Sequence, residues 1–83
     1  MDISIDETTK DSIIELAHLY KDIQKLGTIY STPTGYKYLI VTTIYVDGNL
    51  STFSSHALAD QLEKDIVTNI DTIDKAIIHV NPI

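Results

Sequence analysis

The chain has 83 residues, a net charge of −6 and no cysteine. A domain this small buries only about 60% of the surface its unfolded chain exposes, so it needs support from a metal or a second subunit once disulfides and zinc–thiolate sites are excluded. Six basic residues against twelve acidic ones argue against nucleic acid and anionic membrane surfaces as partners, because both require clustered Lys and Arg.

Asp6 is placed to cap a helix, with Glu7 at its positive end. Apolar residues then fall at Ile13, Leu16, Ala17, Tyr20 and Ile23, a 3.6-residue stripe that predicts an amphipathic helix from Glu7 to about Leu26, stopped by Gly27. Thr28 to Thr32 is β-branched and aromatic and predicts a short strand, followed by a Pro33-Thr34-Gly35 turn. Tyr36 to Val46 predicts a long strand, ended by Asp47-Gly48-Asn49. Ser51 caps a second helix running to about Ile70, with Leu58, Leu62, Ile66 and Ile70 on one stripe. Asp74 to Asn81 predicts the last strand, closed by Pro82.

The predicted order is α-β-β-α-β, with the first two strands as an antiparallel hairpin and the third made parallel by its helical crossover. Two helices on one face of a three-stranded mixed sheet form an α+β two-layer sandwich, ferredoxin-like without its first strand. Those helices can cover one sheet face only. Yet the second strand is apolar on both: Ile40, Ile44 and Val46 on one side, Leu39, Val41 and Tyr45 on the other. In the last strand Ala76, Ile78 and Val80 oppose Ile77 and His79. A half-solvated sheet alternates with polar residues, so the expectation is a homodimer through the face of Leu39, Val41, Tyr45 and Ile77. A helix end or the N-terminal segment covering that face is the alternative.

No run reaches the roughly 20 apolar residues that span a bilayer. The best, Tyr38 to Val46, is interrupted by Thr42 and Thr43, and Met1 to Asp6 lacks the apolar core of a secretory signal. The expectation is a soluble chain that could be a piece of a larger protein.

Three histidines carry the candidate chemistry. His18 shares its helix face with Lys21, Asp22 and Lys25 and reads as solvated. His56, Asp60 and Glu63 lie on one polar helical face. A His-x3-Asp pair can chelate a divalent cation, although the same spacing is common on solvated faces. His79 and Asn81 point to one side of the last strand, and a polar pair among apolar neighbours needs a metal, a water or another subunit. No phosphate loop, cysteine nucleophile or nucleophile-elbow serine is present, so the chain is not expected to be an enzyme.

Asp47-Gly48-Asn49-Leu50-Ser51, His56-Ala57-Leu58-Ala59-Asp60-Gln61-Leu62-Glu63 and Ile78-His79-Val80-Asn81-Pro82 together resemble the C-terminal cytoplasmic domain of the cation diffusion facilitators. These are proton-coupled antiporters that export zinc, manganese, iron, cobalt or cadmium from the cytoplasm. The resemblance spans essentially the whole chain and implies a metallochaperone-like domain, at residues 7–83, on the cytoplasmic side of the cell membrane. Residues 1–6 would then be the entry segment after the transmembrane domain. It implies a regulatory homodimer that senses a divalent ion, Zn or Mn in the first place, near its interface. His56 and His79 match the family's helix and closing-strand histidines, whereas Asn81 stands where Asp is frequent. Thr42 and Thr43 stand where a further histidine is frequent, so the implied ligand set of His56, Asp60, His79 and Asn81 is incomplete. The alternative from another class is a free-standing ferredoxin-like dimer that senses a ligand or metal.

Overall fold

In the computed structural model, which describes residues 5–83, the element order is α1 (Glu7–His18), β1 (Ile23–Leu26), β2 (Tyr30–Thr34), β3 (Lys37–Val46), α2 (Thr52–Asn69) and β4 (Ile73–Pro82). The expected entry segment falls partly outside the described residues. Its last two positions already belong to the domain: Ile5 is buried in the core, and Asp6 caps α1 by accepting the Thr9 N–H at 2.8 Å. The Thr9 hydrogen bonds hold the Asp6 carboxyl below the usual carboxylate range.

The architecture is the expected α+β two-layer sandwich with a mixed sheet. Central β3 pairs β1 and β2 antiparallel and β4 parallel. Ile13 and Ala17 of α1, with Ala59, Leu62 and Ile66 of α2, join Ile40, Ile44, Val46, Ala76 and Ile78 of the sheet in one buried cluster.

The first helix, expected to reach about Leu26, ends at His18, and Ile23–Leu26 is a fourth strand. A bulge explains the misreading. Ile23 pairs with Val46 and Leu26 with Ile44, while Lys25 pairs with Tyr45, so the register slips once between Ile23 and Lys25. The slip puts two apolar residues three apart on one face of a strand, a spacing that imitates a helix. β1 and β2 therefore share one edge of β3, joined through Gly27. The Gly27 N–H reaches the Thr43 carbonyl at 2.7 Å, and a Cβ there would lie 3.3 Å from that same oxygen.

The predicted Pro33-Thr34-Gly35 turn is also displaced. Pro33 and Thr34 belong to β2, where Pro33 pairs with Tyr38 and Thr34 with Lys37. Proline is tolerated on such an edge strand because its missing N–H can face away from the ladder. The reversal is the two-residue Gly35-Tyr36 link, and Gly35 adopts φ +83 there.

Candidate metal centre

α2 begins where sequence places it: Ser51 accepts the Ser54 N–H at 3.0 Å. With Ser55, Ala59, Leu62 and Ile66 turned into the core, the adjoining polar stripe of His56, Asp60 and Glu63 looks along the flank of β4. There a cleft of about 330 Å³ opens between helix and strand, lined by His56, Ala59, Asp60, Glu63, Ile78, His79 and Val80. Three of the four expected ligands, His56, Asp60 and His79, thus border one cleft. The fourth, Asn81, does not line it: Asn81 is exposed and stands opposite Tyr45 in the strand register.

Glu63, which sequence placed on the helix face without a role, also lines the cleft. Its carboxylate is engaged, because the Ile78 N–H donates to Glu63 Oε2 at 3.0 Å. The sequence signal for it was the helical spacing from His56; what it bonds to depends on the tertiary register of β4. Among the described residues, no three His, Asp or Glu side chains gather closely enough to hold one ion. The donors of a single chain therefore do not fit a divalent cation as they stand. A second cleft, of about 270 Å³, adjoins the first at His56 and Val80 and runs under the Asp47-Gly48 turn.

The outer sheet face is assigned by register. Val41 stands beside Ile77, Thr43 beside His79 and Tyr45 beside Asn81, with the Lys25 Nζ over the Tyr45 ring at 5.6 Å. Leu39, Val41, Tyr45 and Ile77 are half-buried. Both helices lie on the opposite side, with the buried residues of β3, so the alternative of an internal cover for this face is not realised among the described residues. The two threonines of β3 part company here. Thr42 is buried and donates to the Gly27 carbonyl at 3.2 Å, whereas Thr43 is the neighbour of His79. His18 is exposed at the end of α1.

The fold is that of a ferredoxin-like α+β domain, with His56, Asp60 and His79 bordering one cleft between α2 and β4. The chain belongs to the family of cation efflux protein cytoplasmic domains, whose model matches residues 5–83. Among solved structures it is similar to the metal-bound C-terminal domain of the CzcD transporter from Thermotoga maritima, at 26% identity and TM-score 0.86, covering 94% of each chain. A cadmium form of a variant MamM C-terminal domain matches at 14% identity and TM-score 0.84, covering 93% of this chain and 96% of that one. The copper form of another variant gives the same figures, 14% identity, TM-score 0.84, and 93% and 96% coverage. At that identity the MamM likeness speaks for the fold alone. No curated protein matches the chain.

Proposed function

We propose that this domain is the dimerising, regulatory cytoplasmic part of a proton-coupled divalent metal efflux transporter, following its transmembrane domain. The observation that carries this reading is the outer sheet face, where Leu39, Val41, Tyr45 and Ile77 form an apolar surface that no helix among the described residues covers. A contiguous patch of this kind is a contact surface, and in a domain this small a second copy also supplies missing burial.

His56, Asp60 and His79, with Asn81 on the outer face, are the proposed donors for a divalent ion, Zn²⁺ or Mn²⁺ first. Imidazole with oxygen donors and no thiolate suits such ions. Since one chain leaves these donors apart, the ion favours whichever arrangement brings more of them together, and only that differential affinity shifts the domain between states. Calorimetric titration of the ion-free domain with Zn²⁺ and Mn²⁺, run beside sedimentation, tests both halves. Binding that is lost in His79→Ala, with a dimer present, is the expected result. Unchanged isotherms in both His56→Ala and His79→Ala would remove the site assignment, and a monomer at all concentrations would remove the dimer.

A further inference from the structure

The net charge of −6 is not spread evenly over the molecule. A cleft of about 500 Å³, larger than either of those beside His56, opens between α1 and the β1–β2 margin of the sheet. Lys10 and His18 border it from α1 and Lys25 from β1, and among the described residues no carboxylate does. The chain sets six Lys and three His against twelve acidic residues. Three basic side chains and no acidic one around a single cleft reverse that balance.

Lys10, Ile14 and His18 are spaced four apart and so share one face of α1. Across from them Leu26 and Ile29 are half-buried, as Ile14 is, and give the cleft apolar surface. Gln24 and Thr28 add neutral hydrogen-bonding side chains. Neither lysine is locked in place. The Lys10 Nζ lies 3.7 Å from the exposed Glu7 carboxylate, and exposed pairs of this kind contribute little. The Lys25 Nζ rests over the Tyr45 ring at 5.6 Å, where the cleft meets the outer sheet face. We propose that this cleft binds a small organic anion, a phosphate or carboxylate head on an apolar body. Lysine ammonium groups take either head as point charges. The volume falls within the range of small-molecule sites, about 300–1,000 Å³. The cleft lies across β3 from β4, so the proposal does not depend on His56 or His79.

The test titrates the isotope-labelled domain at low salt with phenyl phosphate, benzoate and inorganic phosphate, and follows the backbone amide resonances. The expected result is saturable shifts confined to Lys10–His18 and Gln24–Ile29. Phenyl phosphate or benzoate should bind with a dissociation constant of about 1 mM, and the tighter of the two identifies the head group. Inorganic phosphate, which lacks the apolar body, should bind about tenfold more weakly. Lys10→Gln and Lys25→Gln should each weaken binding about threefold. Glu7→Gln, which frees Lys10, should tighten it about twofold. Lys64→Gln, on α2, should leave it unchanged.

No saturable shift at about ten times that concentration, or shifts that lie elsewhere, would overturn the site. So would binding indifferent to both Lys10→Gln and Lys25→Gln. Equal weakening by Lys64→Gln would reduce the effect to diffuse charge and overturn it as well. Inorganic phosphate that binds as tightly as phenyl phosphate would overturn the organic-anion assignment.

Discussion

The two faces of β3 are built from nearly the same kinds of residue and meet different fates. On the inner face Ile40 and Ile44 are 0% exposed, with Thr42 and Val46 at 2%. On the outer face Leu39, Val41, Thr43 and Tyr45 stay half-buried, with no helix across from them among the described residues. Polarity does not distinguish the two; position under the helices does. A strand that is apolar on both sides in a sheet covered on one side has the signature of association, because intramolecular folding satisfies only half of its pattern.

The inner face should be the more sensitive to loss of volume. Ile44→Ala should cost about 2–5 kcal/mol of folding stability, read as a lower urea midpoint. The outer face should answer to charge instead. Val41→Glu should leave the fold intact and raise the dimer dissociation constant about a hundredfold or more, equivalent to about 2.7 kcal/mol; a folded variant that still sediments as the wild-type dimer would place the interface elsewhere. The adjacent threonines sharpen the contrast. Thr43→His, beside His79, should tighten Zn²⁺ binding about tenfold by adding an imidazole donor, while Thr42→His should unfold the domain, since that side chain has no exposed space. Titration is expected to show the least at neutral pH.

The Tyr20 hydroxyl donates to the Asp65 carboxylate across the α1–α2 junction. Burial first, and that carboxylate second, push it up from 10.0 to about 12. Because the folded value is raised, the associated stability is complete below pH 10 and is lost as pH rises through about 12. Denaturation curves collected across that window should flatten in Tyr20→Phe.

Much of this was legible from local pattern. Ser51 and the Leu62–Ile66 stripe located α2, Asp6 located the start of α1, and the β-branched run located β3, because each signal is carried by residues close in sequence. β1 was hidden, since the bulge between Ile23 and Lys25 gives a strand the spacing of a helix. The turn was displaced because Pro33 punctuates loops in general, and only pairing with Tyr38 shows that it sits on an edge. At the site, helical spacing grouped His56, Asp60 and Glu63. Whether His79 or Asn81 joined them depended on how β4 docks against α2, a long-range contact that no local pattern encodes. The same is true of Glu63, whose partner Ile78 lies on another element.

Each of the sheet's two margins carries an interruption, of a different kind. On one, the Gly27 interruption and Pro33 break the regular row of donors between β1 and β2; on the other, a carboxylate already holds the Ile78 amide of β4. Interruptions of this kind disfavour strand-by-strand addition, the route to fibrils. The interface proposed above would use the flat of the sheet, where a two-fold pairing would consume the apolar surface of both copies and stop. With that interface, a chain this short, acidic and apolar on both sides of its central strand would assemble as pairs instead of polymerising.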